Sequence, residues 1–209
     1  MKTASMVVLI SGNGSNLQAL IDAIKGNKLR AEVNAVISNT KEAFGLERAR
    51  AAGIPAVVKL KYKETDREAY DAELADLVMK YEPDLVILAG WMRILSMAFI
   101  KHFPKRIINL HPALPGTFAG THAIERAWQA FQDGEITHTG VMVHLVPDES
   151  VDLGPVLSSR KVDILPGDTL EDLQLRMHTC EHVLLVETIA QYISQLEEQY
   201  AQSVNVCLR

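Results

Sequence analysis

Residues Arg106–Pro112 read Arg-Ile-Ile-Asn-Leu-His-Pro, an apolar run that ends in two polar side chains and a proline. The run predicts a buried strand, which must stop at its proline because proline has no N–H for a sheet ladder. Asn109 and His111 alternate with Leu110, so a regular strand would place both side chains on one face. Ligands of open parallel sheets bind outside the carboxyl ends of strands. The stretch therefore indicates a site at Asn109 and His111, with a capping Asn beside a surface His as the plainer alternative.

Apolar runs and helical spacings alternate on both sides of this stretch. Strands are expected at residues 6–10, 33–38, 56–58 and 85–88, with helices at 17–25, at 44–52, after a capping box at Thr65–Glu68, and from Ser96 to Phe103. Alternation of this kind predicts right-handed crossovers and a parallel sheet.

The pattern changes in the second half of the chain. Strands at residues 140–146 and 156–162 are joined by only nine residues, which is too short for a helical crossover and predicts an antiparallel pair. A long helix begins near Asp168, and Leu173 and Val183 are expected on its apolar face. We therefore predict an α/β fold that is Rossmann-like, with a mostly parallel sheet, flanking helices, a late antiparallel strand pair and a long C-terminal helix. Residues 1–209 are expected to form a single domain.

Charge and composition limit the class of protein. The net charge of −5 and the pI of about 5.8 argue against a nucleic-acid partner, since phosphate backbones need a basic surface, but they allow one locally held phosphate. No apolar run approaches the ~18 residues of a membrane span, and no signal peptide is recognisable, so no membrane association is expected. Cys180 and Cys207 form no metal or redox motif, which favours a reducing, cytoplasmic location.

A glycine-containing turn, Ser11–Asn16, separates the first strand from the first helix. Free N–H groups and the positive end of a helix suit an anion there. The turn is not a Walker loop, and Leu17 stands where the third glycine of a dinucleotide fingerprint belongs. One phosphate is the expected ligand, and a simple turn with an N-cap is the alternative.

Asp148–Pro155 is a loop with three acidic residues. Its Asp152, beside a Gly-Pro turn, is the best candidate for a carboxylate that raises the pKa of His111, whereas a solvated hairpin is the alternative. His144 is expected to be a packed core or cleft residue. His178 and His182 flank Glu181 on the last helix and favour a helix surface; with neither H-E-x-x-H nor C-x-x-C, no metal site is predicted.

Gly90–Leu95 follows the fourth strand with Trp, Met, Ile and Leu side chains. Exposure of these residues at a carboxyl end would form an apolar slot for a flat ring. A hydrophobic staple at the start of the next helix is an equally good explanation.

Together these stretches resemble the phosphoribosylglycinamide formyltransferases of purine synthesis. The similarity covers nearly the whole chain, from about Met6 to Glu181, and Ser11–Asn16 is its most specific motif. The other familial motifs are Ser38-Asn39, Ala43–Ala49, Arg67–Asp71, Leu88–Gly90, Met92–Leu95, Asn109–Pro112 and Asp152–Pro155. Ala113, Pro115, Gly116 and a longer acidic loop at Ser150-Val151 depart from the commonest pattern.

The resemblance implies transfer of a formyl group from 10-formyltetrahydrofolate, as cosubstrate, to the amine of glycinamide ribonucleotide, without a metal. It implies that His111 is the catalytic acid and Asp152 is its partner and proton relay. It implies two binding groups: Gly14, Ser15, Asn16 and Glu181 for the ribonucleotide, and Arg67, Met92, Arg93, Ile94, Leu95 and Asn109 for the folate. Asn109 and a protonated His111 are the residue types that could stabilise an oxyanion. A homodimer is left open.

Two alternatives remain at this stage. One is another formyltetrahydrofolate-using enzyme, resembling methionyl-tRNA formyltransferase or formyltetrahydrofolate hydrolase; such enzymes carry an extra domain, of which the sequence gives no sign. The other is a non-catalytic module that binds a phosphate ligand. Such a module has no need for Asn109, His111 and Asp152 together, so the burial and separation of these side chains discriminate between the two classes.

Overall fold

The computed structural model describes the backbone of residues 3–207 and the side chains as far as residue 202. The elements in chain order are β1 (Ala4–Ile10), α1 (Ser15–Lys25), β2 (Ala31–Ser38), α2 (Phe44–Ala51), β3 (Ala56–Val58), α3 (Arg67–Met79), β4 (Leu85–Leu88), α4 (Met97–Ile100), β5 (Ile107–His111), α5 (Ala123–Gln132), β6 (His138–Leu145), β7 (Val156–Asp163) and α6 (Leu170–Cys207).

The seven strands form one sheet in the order β3-β2-β1-β4-β5-β6-β7. Strands β1 to β5 pair in parallel, whereas β6 runs antiparallel to both β5 and β7. The predicted α/β fold, with its late antiparallel pair and long final helix, is therefore confirmed.

Two apolar layers cover the sheet, and the central strand β1 contributes to both. Met6, Val8 and Ile10 pack into the layer that includes helices α1, α2, α5 and α6. Val7 and Leu9 pack into the opposite layer, with α3 and α4. Because successive side chains of a strand point to opposite faces, a continuous apolar run is the pattern that a strand buried on both faces requires.

Three local predictions need correction. Asp66, not Thr65, caps α3, because its carboxylate accepts from the N–H of Ala69 at 3.0 Å. Helix α4 ends at Ile100 rather than Phe103, and the Ser96 hydroxyl before it is buried without a partner. Helix α5 was missing from the prediction; it begins after His122, whose left-handed backbone carries no side-chain cap, so the usual start signal is absent.

The register of β5 and β6 determines where the acidic loop lies. Leu88, the last residue of β4, is level with Asn109, and Leu145, the last residue of β6, is level with Ile108. Because β6 runs antiparallel, Met142 is level with His111 at the carboxyl end of β5, and β6 ends at Leu145, three residues back from that end. Gly154 makes the return tight, since a Cβ there would lie 1.8 Å from the carbonyl oxygen of Leu145.

Helix α6 buries Leu173, Met177, Leu184 and Ile189 against the sheet. Val183, predicted on that apolar face, instead points outward and is 43% exposed. Within residues 3–207, no helix has both the length and the apolar character needed to cross a membrane. The side chain of Cys207 lies outside the described residues.

Candidate active site

A cavity of about 350 Å³ opens at the carboxyl edge, beside the ends of β4 and β5. One wall is formed by residues 90–95 and the opposite wall by residues 148–152 of the acidic loop. Asn109 and His111 line the cavity from β5, and His144 lines it from β6. The structure thus brings the predicted polar side chains to a concave surface next to apolar residues, the usual character of a small-molecule site.

Asp152 joins the two polar groups of β5. Its Oδ2 lies 3.2 Å from Nδ1 of His111, and its Oδ1 accepts from Nδ2 of Asn109 at 3.1 Å. The side chains of His111 and Asp152 are only 5% and 9% exposed. The predicted meeting of His111 and Asp152 is therefore confirmed, and the two partners interact where water screens them little.

His144 fixes the orientation of the Asn109 amide. Its Nδ1 donates to the carbonyl oxygen of Leu145 at 2.9 Å, which leaves Nε2 to accept from Asn109 Nδ2 at 3.0 Å. Both N–H groups of Asn109 are then engaged, one by His144 and the other by Asp152. An amide expected to donate to an oxyanion must release one of these partners first.

The second ring nitrogen of His111 faces a loop carbonyl. Nε2 donates to the carbonyl oxygen of Phe118 at 3.1 Å, and Arg126 donates to the same oxygen. Phe118 adopts a left-handed backbone, with φ of 45°, to present that oxygen. With a carboxylate at Nδ1 and a carbonyl at Nε2, only a protonated ring could donate to both at once.

The expected pKa shift of His111 is wrong in direction. Burial is the largest influence and lowers the pKa of His111 below 6.5, while the nearby Asp152 carboxylate and the Phe118 carbonyl oppose it. Burial thus disfavours the protonated ring, whereas the contacts at its two nitrogens favour it. Additional negative charge beside the ring would favour the protonated form further.

Asp152 stays ionised despite its burial. Burial alone would raise its pKa, but the contacts to His144, to the Gly120 N–H and to His111 together lower the pKa of Asp152. The Gly120 N–H donates to Oδ2 at 2.8 Å. Asp152 also has a left-handed backbone, with φ of 55°, a conformation that Asp tolerates better than most residues. The loop thus holds one charged carboxylate in a fixed position.

The turn after β1 leads directly into α1. Gly14 provides no side-chain cap, and the first turn of α1 has no acidic residue. Its leading N–H groups are therefore left without an intrahelical acceptor at the positive end of the helix. The Ser11 hydroxyl accepts from the N–H of Met92 at 2.8 Å, which ties this turn to the wall of the cavity.

Gly14 has a packing role in the turn. In the structure a Cβ on Gly14 would lie 2.6 Å from Cα of Gly45 in α2, and the φ of Gly14 is +75°. The glycine therefore allows a left-handed turn and close packing on α2, on the side of the turn that faces the protein.

Glu181 joins the turn to α6. It is 4% exposed and accepts from Nδ2 of Asn16 at 2.9 Å. His178 lies beside it, with Nδ1 3.3 Å from the carboxylate, and this contact raises the pKa of His178. The Asn16 Oδ1 and the His182 Nε2 are buried without partners. The Glu181 region is therefore a buried polar cluster with unused hydrogen-bonding groups. His178 is exposed, as the predicted helix surface requires, whereas His182 is only partly exposed.

The predicted folate-binding segment divides into exposed and buried parts. Met92 and Ile94 are 66% and 53% exposed, whereas Trp91 and Leu95 are buried in the core. Arg93 lies over the ring of Tyr70, 5.4 Å from its centroid. All four apolar residues expected at the slot line the cavity, two of them exposed and two buried.

Arg67 reaches the rim of the cavity rather than its lining. Its guanidinium pairs with Glu149 of the acidic loop at 2.8 Å, and its Nε lies 3.4 Å from the carbonyl oxygen of Ile94. Glu149 also accepts from the N–H of Met97 at 2.9 Å. Arg67 and the acidic loop are consequently linked across the mouth of the cavity.

Metal-ligating side chains do not cluster in the part of the chain that is described: no group of three His, Cys, Asp or Glu residues there could hold a metal ion. Asn109, His111, His144 and Asp152 line the cavity and can supply hydrogen bonds and proton transfer to a ligand there.

Comparison with known proteins identifies the family. The chain matches the formyl transferase family over residues 4–189. The chain belongs to this family. It is 51% identical over 203 residues to the phosphoribosylglycinamide formyltransferase of Schizosaccharomyces pombe, covering 91% of this chain and 98% of that protein. The Escherichia coli protein of the same name is 48% identical over 180 residues, covering 86% of this chain and 82% of that protein.

Solved formyl transferase structures share the fold. The glycinamide ribonucleotide transformylase 1 of Symbiobacterium toebii superposes with a TM-score of 0.86 at 39% identity, over 92% of this chain and 89% of that chain. A Coxiella burnetii phosphoribosylglycinamide formyltransferase solved with CHES has a TM-score of 0.85 at 40% identity, over 93% of this chain and 89% of that chain.

Three contacts of this formyl transferase were missing from the sequence prediction. His144 orients the Asn109 amide, the Gly120 N–H holds Asp152, and the Phe118 carbonyl accepts from His111. A histidine within a strand gave a signal for His144, though not for its role. The other two are backbone groups, which no side-chain motif can reveal.

Proposed function

We propose that this protein transfers the formyl group of 10-formyltetrahydrofolate to the amine of glycinamide ribonucleotide, a step of purine synthesis. The observation that carries the proposal is the buried contact of His111, Asp152 and Asn109 at a cavity, beside the open first turn of α1. The names of the S. pombe and E. coli relatives support the choice of substrate. A non-catalytic phosphate-binding module gives no reason for this buried contact.

The reaction needs no covalent enzyme intermediate. The amine nitrogen attacks the formyl carbon, a new C–N bond forms, and the formyl oxygen becomes an oxyanion. The bond from that carbon to N10 of the folate then breaks. One proton must leave the incoming nitrogen and one must reach N10, so the overall exchange balances with no added oxidant or reductant.

His111 is assigned as the acid of this reaction. In the resting site its Nε2 donates to the Phe118 carbonyl, and the formyl oxygen would take the place of that acceptor. Charge developing on the oxygen raises the affinity of the ring for a proton, which compensates for the pKa-lowering effect of burial. His111 can thus stabilise the oxyanion and then deliver a proton towards N10.

Asp152 is assigned as the partner of His111 and as the relay for the proton of the incoming amine. Its ionised carboxylate holds the ring and can accept a proton directly or through water. Asn109 is assigned as the second donor to the oxyanion. This role requires one Asn109 N–H to leave Asp152 or His144, which defines a rearrangement on the path from the resting site to the transition state.

The ribonucleotide is assigned to the part of the carboxyl edge that lies next to the turn after β1. The backbone N–H groups of Gly14, Ser15 and Asn16 would bind its phosphate, and Glu181 would contact the glycinamide end. The folate would lie against Arg67, Asn109 and residues 92–95, with the exposed Met92 and Ile94 contacting its flat ring. For Arg67 to bind a carboxylate of the folate, its pairing with Glu149 must be exchanged. A cytoplasmic location and a homodimer remain expectations.

The test is a direct assay with purified protein, 10-formyl folate and glycinamide ribonucleotide, followed by the absorbance change on deformylation. Turnover is expected only when both substrates are present. Deformylation at the same rate without the ribonucleotide would instead indicate a hydrolase. No deformylation in either mixture, with a folded protein, would refute the proposed function.

A further inference from the structure

A single arginine of α2, Arg48, hydrogen-bonds to the glycine turn of the proposed phosphate site. The Nε of Arg48 donates to the carbonyl oxygen of Asn13 at 3.0 Å, and one terminal nitrogen donates to the Asn13 Oδ1 at 3.0 Å. The other terminal nitrogen donates to Oε1 of Gln18, in α1, at 3.2 Å. One planar group thus connects the turn to the helix that follows it.

Three further contacts hold Arg48 and the turn in place. The guanidinium carbon of Arg48 lies 4.8 Å from the centroid of the Phe44 ring, one helical turn earlier. Gly14 and Gly45 meet so closely that a Cβ on Gly14 would contact the backbone of α2. The N–H of Gly45 also donates to the carbonyl oxygen of Gly12 at 3.1 Å. The turn is therefore packed against helix α2, which fixes its conformation.

We propose that Arg48 is a positioning residue for the anion site: its guanidinium fixes the Asn13 peptide so that the leading N–H groups of α1 point together at the ligand phosphate. This inference rests on the proposed function of the turn. Arg48 acts through the shape of its five-donor fork rather than through charge alone, because these three acceptors are neutral oxygens in fixed directions.

The Arg48→Lys substitution separates the effect of side-chain shape from the effect of charge. Arg48→Lys keeps the positive charge but cannot bridge both Asn13 oxygens and Gln18 at once. We expect the KM for glycinamide ribonucleotide to rise about tenfold, with kcat within twofold and the KM for the folate unchanged. A tenfold change corresponds to about 1.4 kcal/mol of binding free energy. Arg50→Lys, on the exposed side of the same helix where Arg50 pairs with Glu47, is the matched control and should leave all three constants unchanged.

A double-mutant cycle tests the contact itself. Asn13→Ala removes the side-chain acceptor, so the Arg48→Lys/Asn13→Ala double variant should raise the KM by less than the product of the single effects. A merely structural role would lower the melting temperature and kcat of Arg48→Lys and change both KM values alike. That pattern would overturn the inference. Unchanged kinetic constants in Arg48→Lys would also overturn it, as would effects of the two substitutions on KM that simply multiply in the double variant.

Phosphate binding distinguishes failure of this inference from failure of the proposed function. Inorganic phosphate is titrated into wild-type protein and Arg48→Lys while the amide NMR signals of Gly14, Ser15 and Asn16 are followed. Saturable shifts in the wild type, with weaker binding in Arg48→Lys, are expected. If both proteins bound phosphate equally, the role of Arg48 would be refuted and the phosphate site would stand. If the wild-type signals did not shift, the phosphate site would be refuted, and the inference with it.

Discussion

Replacing Asp152 with asparagine tests the proposed chemistry most directly. The carboxylate faces the Gly120 N–H at 2.8 Å, the Asn109 amide at 3.1 Å and the His111 ring at 3.2 Å. Asparagine has nearly the same shape but only one oxygen. Its NH₂ group must therefore point at another donor, whichever way the amide is turned.

Two separable effects follow from this substitution. One buried donor loses its acceptor, which should cost about 1–3 kcal/mol of folding stability. The imidazolium that forms at His111 in the transition state also loses its counter-charge. We expect kcat to fall at least ~10²-fold, or about 2.7 kcal/mol in activation free energy, within the range of acid–base and oxyanion contributions.

Steady-state kinetics with each substrate varied in turn gives the required measurement. Both KM values should change far less than kcat, because the lost interaction acts mainly in the transition state. Asp163→Asn, an exposed residue of β7 paired with Lys161, is the control and should retain wild-type kcat. Near-normal kcat in a folded Asp152→Asn protein would refute the assigned role of Asp152.

Three further predictions concern the turn, the ring and α6. Gly14→Ala should lower the melting temperature and raise the ribonucleotide KM more than the folate KM, because its Cβ would lie 2.6 Å from the backbone of Gly45; equal KM effects would contradict the assignment. In an NMR titration, the pKa of His111 should lie below 6.5 and fall further in Asp152→Asn, since burial lowers it and the carboxylate raises it; a rise would contradict this account. Glu181→Gln should lower the pKa of His178, by removing the carboxylate that raises it, and raise the ribonucleotide KM; an unchanged His178 titration would show that the contact is absent in solution.

Much of the fold is predictable because its cause is local. The apolar run of β1 is buried on both faces, and the short link between β6 and β7 leaves room only for an antiparallel return. Helix α5 escapes prediction because His122 begins it with a left-handed backbone and no side-chain cap.

The candidate site, like the fold, has features that the sequence predicts and features that it does not. The approach of Asp152 to His111 is expected from the resemblance to the formyltransferases and from the affinity of an imidazole for a carboxylate, whereas the residues alone also allow a solvated hairpin. The direction of the His111 pKa shift is not predictable, because burial outweighs the carboxylate and the sequence does not reveal how much of the ring is covered. The bracing contacts of Arg48 depend on where α2 lies relative to the turn, which no spacing in the sequence encodes.

The order of the strands sets the distance between the glycine turn and His111 along the carboxyl edge. Strand β4 lies between β1, which leads into the glycine turn, and β5, which carries His111. Neighbouring strands are about 4.8 Å apart, so the proposed phosphate and formyl-transfer positions would be roughly 10 Å from one another along the edge. If the ribonucleotide binds as proposed, a phosphorylated amine much shorter than this span would not reach both positions. The spacing is a property of the backbone, so exchanges of side chains around the cavity should change affinity without changing the length of substrate accepted.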